Sequence, residues 1–586
     1  MTAFGTAHTN RFWADLLIEE LLRAGAGLFC LAPGSRSTPL VAAVAENPRA
    51  EHIMHFDERG TAFYALGFAR ATRRPAVWIT TSGTAVANGF PAVVEASMDG
   101  VPMVLLTADR PPELRDTGAN QTIDQVKLFG SYVRWSVDLP PPDAGVNPAM
   151  VLTTVDQAVY RSRRIPAGPV HINAMFREPL APEPDRAEAV PQQEFIRAYR
   201  DEARPYSRYA ASTITPQLEE LRALWAELKG VRHGLVVAGR LDTPAQADSV
   251  RWLADRLGWP LLPDIGSHLR LGGASPGAVH FYDLLLASER FCSEHQPEAV
   301  IVFGSRPTSK RLGQFLARCR PSINIVVREN PSRFDPYHQV THVYESDVVG
   351  FCAQLLVNAA GETEAEAGWM TDWAMASDRT GAIIEEALGG DLSEPQVART
   401  ISSEIPEASG LFLASSMPVR DADTFAAVHG KLPFVAANRG ASGIDGTVAT
   451  AAGFAHGLGS TTTLIIGDLA LLHDLNSLSL VAQAPHAVII VVINNNGGGI
   501  FHFLPIARHE DVFETFFGTP HGYTFEHAAR MFGIGYDRAT TVRELEQFYR
   551  KALDRGMPHL LEVKTDRESN VALHRRIEGV VAEALG

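Results

Sequence analysis

The chain has few cysteines and no long apolar run, and these two features argue against a disulfide-bonded, zinc-binding or membrane-spanning protein. Its 586 residues include four cysteines, none of them in a C-x-x-C pair: Cys30, Cys292, Cys319 and Cys352. Isolated cysteines favour neither a disulfide framework nor a zinc site, so reduced structural thiols are expected. The longest apolar run, at 487–493, is well short of the roughly 18 residues that a membrane span needs. A buried strand is expected there instead.

Basic charge is also scarce, because 52 lysines and arginines face 67 acidic residues, giving a formal net charge of −15. Surfaces that bind DNA, RNA or anionic membranes need a basic footprint, so no nucleic acid or membrane partner is expected. Three acidic residues, Asp15, Glu19 and Glu20, interrupt the first apolar stretch, which a secretory signal does not tolerate. We therefore expect a cytoplasmic protein with an early helix capped by Asn10 and an apolar face of Phe12, Trp13, Leu16, Leu17 and Leu21.

Short β-branched runs alternate with stretches of helical periodicity along the chain. This alternation is typical of βαβ units, and it predicts an α/β fold with three doubly wound domains and mainly parallel sheets. The predicted strands lie at 27–32, 76–81, 101–108, 169–173, 234–239, 299–304, 323–327, 410–415, 433–437, 463–467, 487–494 and 559–564. A Pro-, Glu- and Ala-rich linker at 181–193 and a Gly- and Glu-rich stretch at 359–367 suggest domains at 1–185, 205–358 and 375–586.

Two strand ends in the last third carry polar residues with oxygen ligands. Asp468 follows Gly467 at the end of one strand, and Asn495 and Gly497 follow the end of the next strand. Asn495 lies 27 positions after Asp468. This interval allows a helix and a return strand, so both ends reach one edge of a sheet. Carboxylate, amide and carbonyl oxygens suit Mg²⁺, whose shell phosphate oxygens often complete. Alone, Asp468 is a helix cap and the Asn/Gly run a turn; together they predict a site. The intervening helix is expected to bury Leu471, Leu472, Leu475 and Leu478.

These strand ends resemble the thiamine-diphosphate-binding motif, in which Gly-Asp is followed, one helix and one strand later, by Asn-Asn. The resemblance implies thiamine diphosphate and Mg²⁺ or Mn²⁺ as cofactors, with Asp468, Asn495 and the carbonyl of Gly497 as metal ligands. It also implies a catalytic glutamate against the cofactor's pyrimidine ring, and Glu58 in the segment 52–60 matches it. A first-turn glutamate is otherwise a common partner of the helix dipole. The other implied cofactor positions are Ser416, Ser442, Gly443, Ile444 as the wedge between the cofactor's rings, Gly467, Leu469 where the motif often has glycine, and Ile500.

Four longer segments narrow the resemblance to the MenD family and extend it over essentially the whole chain. They read APGSRSTPL at 32–40, HFDERG at 55–60, TADRPPELR at 107–115 and NRGASGIDG at 438–446. The resemblance implies a transferase of menaquinone biosynthesis that decarboxylates 2-oxoglutarate and adds the remaining four-carbon fragment to isochorismate in a 1,4 fashion. It further implies a homodimer or a dimer of dimers.

Arginines near predicted strand ends are suited to binding these acidic substrates, because arginine is the preferred partner for carboxylates. Any one of them alone is as readily a solvated surface residue, and it is their common placement that favours a site. By resemblance, the isochorismate positions are Ser35, Arg36, Arg110, Asn120, Gln121, Lys310 and Arg311. Those for the succinyl carboxylate are Ser416, Arg420 and Arg439, and the apolar wall is formed by Ile500, Phe501 and Leu504.

Two alternatives remain open from the sequence. Another thiamine-diphosphate decarboxylase or carboligase would share the cofactor motif, but pyruvate decarboxylase-like enzymes use adjacent histidines and none of the 20 histidines has a histidine neighbour. Acetolactate synthase-like enzymes carry FAD, for which the sequence shows no fingerprint. A non-catalytic relative would keep the fold with a vestigial site, against which the intact Glu58, Asp468 and Asn495 argue.

Overall fold

A computed structural model describes residues 5–181, 193–272, 275–359, 361, 363–428 and 432–585. Three β-sheets organise the chain, which confirms the predicted α/β fold of three sheet-centred domains. The predicted linker lies almost wholly outside the described residues, as do two positions of the 359–367 stretch, and the domain boundaries stay a prediction. Within the described ranges, no helix has both the length and the apolar character to cross a bilayer.

The first sheet has six parallel strands in the order β2-β1-β3-β4-β6-β5. They are β1 (Leu28–Leu31), β2 (His52–Met54), β3 (Ala76–Thr80), β4 (Met103–Asp109), β5 (Ser136–Leu139) and β6 (Pro169–Met175). The helices of this region are α1 (Thr6–Arg23), α2 (Thr38–Glu46), α3 (Glu58–Thr72), α4 (Thr84–Asn88), α5 (Phe90–Asp99), α6 (Ala149–Arg163) and α7 (Gln193–Asp201). The β-branched and leucine-rich central strands are buried along their whole length, as expected for a sheet covered on both faces.

The second sheet has five parallel strands in the order β11-β10-β9-β7-β8. They are β7 (Gly234–Ala238), β8 (Leu261–Pro263), β9 (Ala299–Phe303), β10 (Ile323–Arg328) and β11 (His342–Glu345). Its helices are α8 (Leu218–Leu228), α9 (Pro244–Leu257), α10 (Tyr282–Leu285), α11 (Glu289–Glu294), α12 (Lys310–Cys319) and α13 (Val348–Val357).

The third sheet has six strands in the order β13-β12-β14-β15-β17-β16. They are β12 (Gly410–Leu413), β13 (Phe434–Ala437), β14 (Thr462–Gly467), β15 (Val488–Asn494), β16 (Gly535–Ala539) and β17 (His559–Lys564). The helices are α14 (Trp369–Ala387), α15 (Glu394–Glu404), α16 (Met417–Phe425), α17 (Thr447–Leu458), α18 (Asp468–His473), α19 (Leu478–Gln483), α20 (Glu510–Phe513), α21 (Glu526–Met531), α22 (Val542–Arg555) and α23 (Arg567–Ala584).

The residues group into two compact units. The first unit comprises Met1–Ala211, Asn438–Thr462 and Ala470–Val488, and the second comprises Ser212–Ala437, Thr463–Leu469 and Ile489–Gly586. Within the first unit, α3 packs closely on α17 because glycines face backbone at the crossing. A Cβ on Gly67 would come within 2.0 Å of the Thr450 carbonyl oxygen, and a Cβ on Gly453 within 2.0 Å of the Tyr64 carbonyl oxygen.

Two local predictions are wrong. Asn10 does not cap α1, which begins after Gly5; Asn10 is buried inside the helix and its Nδ2 donates to the carbonyl oxygens of Arg177 (2.7 Å) and Pro179 (3.2 Å). The helix expected after Asp468 is broken into α18, a 3₁₀ turn and α19. Asp474 lies at this break, and its buried carboxylate accepts hydrogen bonds from the N–H groups of Val448 and Ala449. The predicted apolar face of α1 and the four free cysteines are confirmed.

Candidate active site

Asp468 lies where β14 ends and α18 begins, in the second unit, and only 2% of it is exposed. Its Oδ1 accepts from the N–H of Leu469 (2.6 Å), and its Oδ2 accepts from the N–H of Gly497 (2.9 Å). The imidazole Nε2 of His521 lies 3.1 Å from the same Oδ2. Burial raises the pKa of Asp468, while the hydrogen bonds from Gly497 and His521 oppose that shift. The carboxylate is thus fixed at the carboxyl edge of the third sheet.

Asn495 and Gly497 follow β15, the neighbour of β14, so they lie at the same edge of the sheet as Asp468, and the N–H of Gly497 contacts it directly. Gly497 has φ +137°, and a Cβ there would lie 2.0 Å from the carbonyl oxygen of Gly518, so only glycine fits. Asn496 also has a positive φ (62°), and its Oδ1 accepts from the N–H groups of His521 (3.0 Å) and Gly522 (2.7 Å). The loop that carries His521 is held by this contact.

The oxygen atoms at this edge fit a hard divalent cation. The Nδ2 of Asn495 donates to Glu394 Oε1 (2.8 Å), whereas its Oδ1 is buried and has no hydrogen-bond partner among the described residues. A buried amide oxygen without a partner is costly unless a ligand satisfies it. Together with the carboxylate of Asp468 and the carbonyl of Gly497, it forms the kind of set that Mg²⁺ takes. In the described ranges, no cluster of three or more His, Cys, Asp and Glu side chains offers an alternative metal site.

Ser416 and Arg420 lie after β12 on the same sheet. Ser416 has φ +76° and precedes α16. Nη1 of Arg420, one turn later, donates to the carbonyl oxygen of Ser416, so the two predicted residues are in contact. Gly467 and Leu469 flank Asp468 and are half-buried. Past the Asn/Gly loop, the ring of Phe501 packs edge-on against that of Phe517 at 5.5 Å between centroids, Ile500 is half-buried, and Leu504 is exposed.

Two carboxylates of the chain already pair with Arg311, which was predicted to bind substrate. Its Nη1 donates to Asp283 Oδ2 (2.8 Å) and its Nη2 to Glu578. Burial disfavours the charge, but the two carboxylates outweigh burial and raise the pKa of Arg311. Lys310, at the start of α12, is exposed. In the structure Arg311 therefore forms ion pairs within the second unit, which the sequence did not indicate.

Glu58 is the first residue of α3 in the first unit, and Asp57 caps the helix by accepting from the N–H of Arg59 (2.8 Å). Glu58 therefore lies in the first turn of the helix. Its side chain is half-buried, and its Oε2 accepts from Asn88 Nδ2 (3.1 Å). A neutral donor, the amide of Asn88, thus orients the carboxylate.

Arg36 and Arg110 form a basic pair in the first unit. Nη1 of Arg36 donates to the carbonyl oxygen of Phe176 (2.8 Å) and Nη2 to Glu178 Oε1 (3.0 Å), and only 4% of the residue is exposed. Burial lowers the pKa of Arg110, and the positive charge of Arg36 lowers it further. The carboxylates of Glu178 and Asp109 oppose this shift, so acidic groups of the chain already offset part of the positive charge.

The other predicted residues of the first unit lie near this pair or on the 438–446 loop. Nη1 of Arg110 donates to Ser82 Oγ (2.7 Å), which donates to the carbonyl oxygen of Gln121 (3.0 Å). Gln121 has φ +52°, and Asn120, Gln121 and Ser35 are exposed. On the loop, Ser442 has φ +59° and its Oγ donates to the carbonyl oxygen of Arg439 (3.5 Å), Gly443 is half-buried, and Ile444 is 37% exposed.

Sequence reasoning missed three residues that hold these elements. Glu95 of α5 accepts from the N–H groups of Gly440 (2.8 Å) and Ala441 (2.7 Å) and so anchors the loop that carries Ile444. Burial and the neighbouring Asp99 raise the pKa of Glu95. Glu394 contacts Asn495, and burial raises the pKa of Glu394 to about 7. His521 lies beside Asp468. All three are distant in sequence from their partners and belong to no motif.

Comparison with known families covers most of the chain. Residues 13–128 match "Thiamine pyrophosphate enzyme, N-terminal TPP binding domain", residues 191–413 match "Middle domain of thiamine pyrophosphate", and residues 425–563 match "Thiamine pyrophosphate enzyme, C-terminal TPP binding domain". With the three sheets and the strand-end oxygens, these matches define a thiamine-diphosphate-dependent enzyme.

Full-length relatives give the family. The chain is 56% identical to a protein of Rubrobacter xylanophilus over 98% of both chains. It is 52% identical to one of Salinibacter ruber (98% of this chain, 97% of the relative) and 44% identical to one of Chlorobaculum tepidum (97% and 96%). All three are named 2-succinyl-5-enolpyruvyl-6-hydroxy-3-cyclohexene-1-carboxylate synthase. The chain belongs to this synthase family, the MenD family.

Proposed function

We propose that the chain decarboxylates 2-oxoglutarate and adds the four-carbon remainder to isochorismate, giving 2-succinyl-5-enolpyruvyl-6-hydroxy-3-cyclohexene-1-carboxylate and CO₂ in menaquinone biosynthesis. The observation that carries the proposal is the near-complete coverage of synthases of that name at up to 56% identity. The oxygens of Asp468, Asn495 and Gly497 at one sheet edge support it.

Thiamine diphosphate supplies the nucleophilic carbon and the electron sink that loss of CO₂ from a 2-oxo acid requires. For the chain's own part, Asp468 Oδ, Asn495 Oδ1 and the carbonyl of Gly497 would hold Mg²⁺ or Mn²⁺, which links the diphosphate to the protein. Ser416, Gly467, Leu469 and the start of α16 would surround the diphosphate, since helix N-termini favour anions.

Glu58 would hold a proton at the pyrimidine ring of the cofactor, and its bond to Asn88 keeps the carboxylate in one orientation. Ser442, Gly443 and Ile444 would contact the cofactor's rings, on a loop that Glu95 anchors.

Basic residues would bind the acidic substrates. Arg36 and Arg110 would bind a carboxylate of isochorismate, because guanidinium groups form charge-assisted hydrogen bonds with carboxylates. The same substrate would also contact Ser35, Asn120, Gln121 and Lys310. Arg420 and Arg439 with Ser416 would take the succinyl carboxylate, and Ile500, Phe501 and Leu504 would form an apolar wall. Because Arg311 is paired with Asp283 and Glu578, we assign it to orienting α12 rather than to substrate.

We further propose a cytoplasmic location and a homodimer or dimer of dimers as the active assembly, without nucleic acid or membrane partners. The net charge of −15 supports the absence of nucleic acid partners.

Release of CO₂ tests the first half-reaction. 2-Oxoglutarate labelled at C1 should release labelled CO₂ only when thiamine diphosphate and Mg²⁺ are present. Pyruvate labelled at C1 should release much less labelled CO₂. The matched control is Glu58→Gln, which keeps the side-chain shape. Equal release from pyruvate would favour another 2-oxo acid decarboxylase, and no release from either substrate would favour a non-catalytic relative.

A further inference from the structure

Glu394 is a buried carboxylate that no step of the proposed chemistry uses. It is the first residue of α15, only 1% of it is exposed, and Ser393 caps the helix by accepting from the N–H of Gln396. Two donors converge on its Oε1: Asn495 Nδ2 at 2.8 Å and Thr565 Oγ1 at 3.2 Å. An acidic group at this depth costs free energy unless its contacts offset desolvation, so its contacts deserve a physical reason.

The contact with Asn495 decides which end of the amide faces away from Glu394. The oxygen and the NH₂ group of asparagine have nearly the same shape, so hydrogen bonds alone determine the orientation. Because Thr565 also donates to Oε1, this oxygen accepts whether or not the other oxygen carries a proton. The NH₂ group must therefore point to Glu394, and Oδ1 points the other way, buried and without a partner among the described residues.

We propose that Glu394 is a positioning residue for the metal ligand Asn495: it holds the amide so that Oδ1, and not Nδ2, faces the divalent cation. The inference rests on the proposed metal site. A flipped amide would direct an N–H group at the cation, which repels it. Groups that orient a metal ligand in this way typically increase metal affinity by about 10- to 100-fold.

The surroundings of Glu394 allow this role to be tested by substitution. It lines a cavity of about 570 Å³ bounded by the segments 386–394 and 565–576, so an uncharged side chain of similar length has room on that side. On the other side, Asp421 lies close enough to raise the pKa of Glu394, and His574 lies 3.3 Å from Asp421. Removing the charge of Glu394 leaves the pair of Asp421 and His574 in place.

The test measures Mn²⁺ binding, by loss of the free-ion EPR signal, with the full chain and thiamine diphosphate but no substrate. Glu394→Met removes the acceptor and should weaken Mn²⁺ binding by about 10- to 100-fold. Glu394→Gln keeps an acceptor oxygen and should stay within about threefold of wild type, as should the control Thr565→Val, which removes only the second donor to Oε1. Mn²⁺ affinity of Glu394→Met within threefold of wild type would overturn the proposal.

A second background separates orientation from charge. Asn495→Asp presents an oxygen at either end, so orientation no longer matters, and adding Glu394→Met to it should cause no loss of Mn²⁺ affinity. A loss of about 10-fold or more on adding Glu394→Met to Asn495→Asp would show that Glu394 acts through its charge and would contradict the proposal, and this comparison can be made even if Glu394→Met alone fails to fold. Failure of the wild type to bind Mn²⁺ would instead contradict the proposed metal site itself.

Discussion

At the scale of single residues, the proposed chemistry depends on side chains at strand ends and helix starts. Glu58 is one of them, and we predict that Glu58→Gln keeps the fold and cofactor binding but slows exchange of the cofactor's C2 proton. The amide preserves the shape but cannot hold the proton, and a positioned acid/base group contributes about 10²- to 10⁴-fold in rate. NMR of the exchange measures it, with Asn88→Ala as a milder variant that loosens the carboxylate. Unchanged exchange would remove Glu58 from the mechanism.

Arg110 should act on substrate binding. We predict that Arg110→Gln raises the KM for isochorismate by about 10- to 100-fold, since a hydrogen bond between charged groups contributes about 1.5–3 kcal/mol. The KM for 2-oxoglutarate should change little. Arg177→Gln is the matched control, because Arg177 is exposed and its Nε donates to Glu113 (2.6 Å) at the surface. Steady-state kinetics with each substrate varied in turn decides it, and equal effects of both substitutions would contradict the assignment.

The sequence predicted the residues that carry a local pattern and missed those that act through space. Asp468, Asn495 and Gly497 could be proposed because each follows a buried strand, and in the structure these strands are neighbours and Gly497 contacts Asp468. Glu394 and Glu95 could not be found, since each lies on a helix of ordinary composition and meets its partner only after folding. The pairing of Arg311 with Glu578, 267 positions apart, was hidden for the same reason.

At the scale of elements, the start of α17 depends on a carboxylate from another segment. The fully buried Asp474 accepts from the N–H groups of Val448 (2.8 Å) and Ala449 (3.1 Å), which are among the donors that a helix start leaves unsatisfied. Its Oδ1 accepts from Ser477 Oγ (2.7 Å). Burial raises the pKa of Asp474 to about 6, with the hydrogen bonds opposing the shift.

This raised pKa predicts a pH dependence of stability. The folded chain holds a proton on Asp474 more tightly than the unfolded chain, whose aspartate pKa is near 3.8, so ionisation weakens the fold as pH rises from about 4 to about 7. Asp474→Asn lacks this ionisation. The unfolding free energy of the wild type relative to the variant should therefore fall by up to about 3 kcal/mol over that range. Urea unfolding at both pH values tests it, and a constant difference would contradict the assignment.

Strand predictions succeeded in the interior of each sheet and failed at five of the six edges. All twelve predicted strands exist, whereas the five strands that were not predicted, β2, β5, β8, β11 and β16, each lie at the edge of a sheet; β13 is the edge strand that was predicted. Four of the five are partly exposed and so lack a continuous apolar run. β8 is buried but only three residues long. The apolar pattern identifies strands with neighbours on both sides, because only those are covered on both faces.

At the scale of the whole molecule, the resemblance to the family implies a homodimer whose sites take Glu58 from one chain and Asp468 from the other. We predict that mixing the inactive variants Glu58→Gln and Asp468→Ala, under conditions of subunit exchange, restores activity. A mixed dimer would contain one intact site, so random mixing should approach about a quarter of wild-type activity. If exchange is demonstrated and no activity returns, the two residues act within one chain.

The product formed from both substrates tests the proposed function most directly. The purified chain is incubated with 2-oxoglutarate, isochorismate, thiamine diphosphate and Mg²⁺, and the product is identified by mass spectrometry and NMR. We predict the 1,4-adduct, 2-succinyl-5-enolpyruvyl-6-hydroxy-3-cyclohexene-1-carboxylate, formed in equal amount with CO₂ and absent when Asp468→Ala replaces the wild type. Release of CO₂ with free succinic semialdehyde as the only organic product, and isochorismate left unchanged, would contradict it.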